Sequence, residues 1–154
     1  MKIGIAFSGG GHYLEAMNAC KALLAEGQHS YFYVTYRQKH RPAGNMRVHY
    51  VAHPKHGWAI RRAALLLVNF VQSLAVYAKE KPDLIISTGA DVTLSIMLIA
   101  KLYRKKLIFI ESGANVTKPS LTGRLVYRFA DLFLIQWEEL KPHYPRAIYG
   151  GPLL

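Results

Sequence analysis

Three short runs in this chain are apolar at consecutive positions: the centre of Asp83–Ser87 (Asp-Leu-Ile-Ile-Ser), Leu107–Ile110 and Leu132–Ile135. A strand with one face in water alternates apolar and polar residues, whereas a strand apolar on both sides must be covered on both sides. Such runs, interleaved with helix-like segments, predict a Rossmann-like parallel sheet with helices on both faces, an α/β fold. The reading in chain order is strand Lys2–Phe7, helix Tyr13–Glu26 stopped at Gly27, and strand Ser30–Thr35. A basic, turn-like stretch follows from Arg37 to Asn45, then a short strand Arg47–Ala52 and a long helix Trp58–Lys79 closed by Pro82. After strand Asp83–Ser87 come helix Asp91–Arg104, strand Leu107–Ile110, helix Leu121–Phe129 and strand Leu132–Ile135. A short helix or turn is expected at Trp137–Leu140, and Ile148–Tyr149 is read as a last short strand.

At 154 residues with no internal repeat or linker, residues 1–154 are expected to form a single domain with a real core. The single cysteine, Cys20, excludes an intrachain disulfide and a cysteine-based zinc site, and it fits a reducing, cytosolic setting. Its place on the first predicted helix reads as a small buried core residue. Twenty Lys and Arg against nine Asp and Glu give a formal charge of +11, which favours an anionic partner. Nucleic acid would need basic residues interleaved with aromatics on one exposed face. Here they are scattered or flank apolar helices, so no nucleic-acid partner is expected. The N-terminus enters a strand pattern at once, so no signal peptide is expected. The most apolar stretch, Ala63–Ala78, is broken by Asn69, Gln72 and Ser73 and falls short of the ~20 residues a membrane span needs.

Between the first strand and helix stands Ser8-Gly9-Gly10-Gly11-His12. In a doubly wound sheet ligands sit at the carboxyl edge of the strands, where the backbone N–H groups of such a loop can cradle an anion. Two nucleotide fingerprints fail. A dinucleotide loop would need glycine at Leu14 and an acidic residue ending the second strand, and a P-loop would need Lys-Ser/Thr where His12-Tyr13 stands. His12, at the helix start, has two readings: a neutral general base beside the anion site, or a hydrogen-bonding cap residue.

Two other strand ends reach the same edge. The fourth strand runs into Ser87-Thr88-Gly89-Ala90-Asp91, a small-residue turn in which Asp91 is expected to cap the next helix. The fifth ends Ile110-Glu111-Ser112-Gly113-Ala114-Asn115. Glu111 either hydrogen-bonds a substrate hydroxyl or caps a neighbouring loop through backbone N–H groups. No carboxylate pair or Asp-x-Asp motif appears, so neither metal nor cofactor is expected.

The stretches FSGGGHYLEA, LIISTGADVTLS, FIESGANVTKPSLTGRLVYRFADLFLIQWEEL and YPRAIYGGPLL together resemble the acceptor-side subunit of the two-part UDP-GlcNAc transferase of lipid-linked oligosaccharide synthesis. They are similar also to PssD-type exopolysaccharide proteins and, more distantly, to the amino-terminal half of MurG, the peptidoglycan GlcNAc transferase. Ser120-Leu121-Thr122-Gly123 and Gln136-Trp137-Glu138 are among the most specific parts. The resemblance implies the amino-terminal half of a GT-B glycosyltransferase, which receives the acceptor. The chain reaches Gly151-Pro152 about where a fused enzyme would cross into its donor-binding half, so a separate donor-binding subunit is expected. The implied reaction is inverting transfer from a UDP-sugar, UDP-GlcNAc foremost, at the subunit interface to a polyprenyl-diphosphate-linked sugar.

On that resemblance His12 is the candidate base and Glu111 orients a sugar, while Ser8, Gly9, Gly10, Gly11, Glu15, Thr88, Gly89, Ser112 and Asn115 are candidate substrate-binding residues. There are two departures from the family pattern. Eukaryotic members carry an N-terminal transmembrane anchor, whereas strand one here starts at Lys2, and a frequent Gly-Pro-Gly after strand four is replaced by Thr88-Gly89-Ala90-Asp91. The alternatives to this reading are an autonomous small α/β enzyme for a phosphorylated metabolite and, on charge alone, a nucleic-acid-binding protein.

The helix Trp58–Lys79 confines Arg62, Asn69 and Ser73 to one narrow stripe and is otherwise broadly apolar. Such a helix is either core or presented to lipid. Its flank of Trp58, Arg61 and Arg62 fits an interfacial helix, with Leu66 and Phe70 on the expected membrane contact. The basic cluster Lys101–Lys106 would add attraction to anionic lipid. The expected location is cytoplasmic and peripheral, on the inner face of the cell membrane.

Overall fold

The computed structural model describes residues 1–38, 42, 45–54 and 57–153. Most of the basic turn expected between Arg37 and Asn45 therefore lies outside the described residues. Among the described residues, seven parallel strands form one sheet: β1 (Lys2–Ala6), β2 (Ser30–Thr35), β3 (Arg47–Tyr50), β4 (Leu84–Ser87), β5 (Lys106–Ile110), β6 (Leu132–Ile135) and β7 (Ile148–Tyr149). Their spatial order is β3-β2-β1-β4-β5-β6-β7, so the winding direction reverses between β1 and β4. In doubly wound sheets ligands bind near such a reversal, outside the carboxyl ends of the strands.

Helix α1 (Gly11–Glu26) covers one face, burying Ala16 and Cys20 against Ile3, Ile5, Phe7, Tyr33, Ile86 and Ile110. Helices α2 (Ala59–Glu80), α3 (Leu94–Leu102) and α4 (Leu121–Val126) cover the other over Phe32, Val34, Ile85, Leu107, Phe109 and Phe133. The apolar runs are thus buried on both sides, as a sheet between two helical layers requires. Boundaries shift modestly from expectation. The third strand stops at Tyr50, the helix expected from Asp91 opens with a 3-10 turn over Asp91–Thr93, and α4 ends at Val126.

Asp91 does not cap the helix. Its carboxylate instead accepts from Arg62 on α2 at 2.6 Å. That pairing spans 29 residues of chain, so no local pattern announces it.

Helix α2 is turned inside out relative to an ordinary surface helix. Its polar stripe faces the protein: Asn69 Nδ2 donates to the carbonyls of Ala52 (2.6 Å) and Val92 (3.0 Å), and Ser73 donates to Asn69. Its apolar side faces outward, with Ile60 85% and Leu67 66% exposed beside Val68, Val71 and Leu74. Contrary to the expectation from Ala63–Ala78 alone, α2 has the length and composition of a membrane span: it is 22 residues long, and its most apolar 18 have a mean hydropathy of 1.4. Its inner edge is nevertheless hydrogen-bonded along the protein.

Candidate functional site

The β1–α1 loop turns sharply at Gly10, whose φ of 64° is natural only for glycine. Gly9 answers to a different constraint, because a Cβ there would meet the Gln38 and Tyr36 side chains at 2.4 and 2.9 Å. Helix α1 starts at Gly11 with no side-chain cap; the N–H groups of Tyr13 and Leu14 turn back to the Gly10 carbonyl, and those of Gly11 and His12 have no partner among the described residues. Ser8 and Gly9 are half-buried, and Gly10 and Gly11 are exposed.

His12 is tied to the loop after β4. Its Nδ1 lies 2.8 Å from the Thr88 carbonyl, and the Thr88 hydroxyl returns a bond of 2.8 Å to the His12 carbonyl. A carbonyl can only accept, so Nδ1 carries a proton, and in the neutral form of the ring the lone pair is on Nε2. Thr88 and Gly89 are buried, and Gly89 makes its turn at φ 94°.

Glu15, one turn further along α1, is 1% exposed. Its Oε1 accepts from Ser112 Oγ (3.1 Å) and Gly113 N (2.7 Å), clamping α1 to the loop after β5. Its Oε2 stands 3.6 Å from His12 Nδ1.

Glu111 is equally buried and is surrounded by protein donors. Oε1 accepts from Ser112 N and Asn115 Nδ2, both at 3.2 Å. Oε2 accepts from the Tyr144 hydroxyl at 2.8 Å and Ser120 N at 3.3 Å. This is the geometry of the loop-capping alternative, and Asn115 is occupied in the same network. Burial, reinforced by the adjoining Glu111 carboxylate, pushes the Tyr144 phenol well above its ordinary range and keeps it a donor. Gly123 leaves the room, since a Cβ there would stand 2.1 Å from Glu111 Oε2.

Two side chains not assigned to the site from sequence complete the β5 loop. Gln136 donates to the Glu111 carbonyl at 3.0 Å, and the Trp137 indole donates to the Gly113 carbonyl at 2.7 Å. Ser120 caps α4 by accepting from Gly123 N at 2.8 Å. The residues of the Ser120–Gly123 and Gln136-Trp137 stretches therefore converge on one loop. A cleft of about 270 Å³ opens beside it, between Gly11, Glu15, Gly113, Trp137 and Pro152. Among the described residues, no three His, Cys, Asp or Glu side chains converge as a metal site would require.

The membrane-contact candidates lie apart from this cleft, on the outer helical layer. Trp58 and Arg61 are exposed and Phe70 is partly so, but Leu66 is half-buried and Arg62 is engaged by Asp91. The cluster Lys101–Lys106 is less free than its sequence suggests. Lys101 and Lys106 pair with Asp131 at 2.8 and 3.7 Å, and Lys105 approaches Asp83 at 4.0 Å.

Residues 59–153 match the family model described as "Oligosaccharide biosynthesis protein Alg14 like". The chain is similar to the UDP-N-acetylglucosamine transferase subunit ALG14 of Yarrowia lipolytica, 34% identical over 93 residues, covering 56% of this chain and 43% of the relative. The human protein of the same name is 31% identical over 88 residues, covering 53% and 41%. The Eremothecium gossypii one is 39% identical over 107 residues, covering 64% and 48%. The chain thus spans under half the length of these curated relatives.

Among solved structures, Acinetobacter baumannii MurG matches with a TM-score of 0.67 at 16% identity, over 87% of this chain and 40% of that one. A UDP-N-acetylglucosamine 2-epimerase from Rickettsia bellii reaches 0.74 at 12% identity, over 99% and 45%. At such identities the likeness is one of fold alone: a Rossmann-like parallel sheet with helices on both faces, matching under half of each of those chains. The family match begins at residue 59, beyond the glycine loop and His12.

Proposed function

The chain belongs to the Alg14-like family of oligosaccharide biosynthesis proteins, and from that premise we propose that it is the acceptor-binding subunit of a UDP-sugar glycosyltransferase. The donor is UDP-GlcNAc, in keeping with the names of its relatives, and a second, donor-binding subunit supplies the nucleotide site. The acceptor is a sugar carried on a polyprenyl diphosphate, and residues 1–154 act as one acceptor-binding domain.

The observation that carries this reading is His12, fixed at the sheet's carboxyl edge by Thr88, with no partner for Nε2 among the described residues. An imidazole so held can take the proton of an acceptor hydroxyl while that oxygen attacks the anomeric carbon from the face opposite the nucleotide, giving inversion. The uncapped N–H groups of Gly11 and His12 suit the acceptor diphosphate. Glu111, Tyr144 and Gln136 act behind the substrate, setting the β5 loop.

The outward apolar face of α2, with Arg61 at its start, supports peripheral attachment to an anionic membrane on the cytoplasmic side, where a lipid-linked acceptor resides. The test is reconstitution. Purified chain, a donor-half partner and vesicles containing a polyprenyl-diphosphate sugar should transfer GlcNAc from UDP-GlcNAc, and neither protein alone should. Robust turnover by the isolated chain would refute the subunit role, and no turnover by the pair would refute the donor or acceptor named.

A further inference from the structure

Glu15 makes more of a carboxylate than its clamp on the β5 loop requires. Its Oε1 alone receives Ser112 Oγ and Gly113 N. The amide oxygen of a glutamine would do the same without burying a charge. Oε2 is shut away from solvent and accepts no hydrogen bond among the described residues, and His12 Nδ1 stands 3.6 Å from it. A buried carboxylate oxygen without a donor is costly unless a positive charge comes to it.

We propose that Glu15 is a positioning residue for His12, its Oε2 held for the charge the imidazole gains when Nε2 takes a proton. This rests on the reading of His12 as the base. In that step the acceptor O–H proton passes to Nε2 and the acceptor oxygen bonds to the anomeric carbon. The bond from that carbon to the nucleotide phosphate oxygen breaks, and its electron pair leaves with UDP. The cationic ring then shares Nδ1–H between the Thr88 carbonyl and Glu15 Oε2.

Among the described residues, Glu111, Asp91, Tyr13 and Tyr36 at this edge have partners of their own. Glu111, behind the β5 loop, holds Tyr144, Asn115 and two backbone donors. Asp91, beyond the β4 loop, holds Arg62. Tyr13 packs on Phe7, and Tyr36, from the β2 side, packs on His53. Through its two oxygens Glu15 also links the His12 ring to Gly113, whose carbonyl holds Trp137, so loop position and proton acceptance are joined.

The experiment is an NMR titration of the full chain, following the His12 ring and the Glu15 side-chain carboxyl carbon. The Glu15 signal should step at the pH where the His12 ring titrates. In Glu15→Gln the His12 midpoint should fall, because an opposite charge beside the ring is lost. A Glu15 signal indifferent to His12, or an unchanged midpoint in folded Glu15→Gln, overturns the proposal. Should that variant not fold, the wild-type Glu15 signal decides alone. If His12→Ala retains full transfer activity while the coupled step is present, the pairing stands and the base reading falls.

Discussion

The Tyr144 hydroxyl donates to Glu111 Oε2 at 2.8 Å, joining the segment before β7 to the end of β5 through two buried side chains. The same oxygen takes the backbone N–H of Ser120, and the other oxygen takes Ser112 and Asn115. Glu111 therefore acts as the hub on which the β5 loop and the start of α4 are built.

Tyr144→Phe removes one donor from a buried charge and keeps the ring's packing. Its expected cost is about 1.5–3 kcal/mol, the usual range for a hydrogen bond to a charged group. Gly123→Ala forces a methyl onto the Glu111 carboxylate and should cost about 1–3 kcal/mol through overpacking. Urea denaturation of each variant measures both. A Tyr144→Phe variant as stable as the parent would show that Glu111 is satisfied without it.

His12→Ala should lower kcat of the reconstituted enzyme by about 10²–10⁴-fold, the usual contribution of a positioned base. The fold should persist, because the side chain is part-exposed and makes one short hydrogen bond, to the Thr88 carbonyl. Circular dichroism and the urea midpoint check the fold. A fall in kcat below about fivefold would leave His12 as a residue that ties α1 to the β4 loop.

At the opposite edge of the sheet, Glu80 gathers Arg47 (2.8 Å), His49 (2.7 Å) and Lys2 (2.9 Å). Burial pushes its carboxyl up, but hydrogen bonds from Arg47, Lys2 and His49 outweigh that and bring it down to about 2. A carboxyl lowered on folding stabilises the protein above its unfolded value, near 4.5, and that contribution is lost as pH falls toward 2. Glu80→Gln should therefore be less stable than the parent from pH 7 down to about 4.5, with the gap closing between there and pH 2. A gap that is constant with pH would mean the charge of Glu80 contributes nothing.

The sheet was legible because continuous apolar runs admit few environments, and the glycine loop because φ near +64° at Gly10 demands glycine. What stayed hidden was set by distant partners. Glu111 had two readings from sequence, and its donors Tyr144 and Ser120 lie 33 and 9 residues away. Asp91 has the residue type and place of a cap, yet Arg62 draws it off. For α2 the polar stripe was visible, but periodicity alone does not say which side the stripe faces. The carbonyl of Ala52 and that of Val92 turn Asn69 inward and so turn Leu67 and Val71 outward.

That orientation makes membrane attachment testable by position. Leu67 and Val71 are 66% and 58% exposed, so an aspartate at either leaves the core intact. In lipid the same aspartate must be dehydrated, a cost that salt does not remove. Leu67→Asp and Val71→Asp should therefore weaken liposome binding at every salt concentration while the urea midpoint holds. Arg61 is exposed and acts through charge, which salt screens over about 8 Å at physiological ionic strength. Arg61→Glu should weaken binding to anionic vesicles at low salt and have little effect at high salt. Arg62 differs, because its partner is Asp91 within the protein. Arg62→Glu should lower stability as well as binding, a contrast that separates structural from interfacial arginine. Co-sedimentation with neutral and anionic vesicles across a salt series reads all four variants. Unaltered binding by Leu67→Asp and Val71→Asp would remove α2 from the membrane contact, and equal binding to neutral and anionic vesicles would remove the electrostatic half.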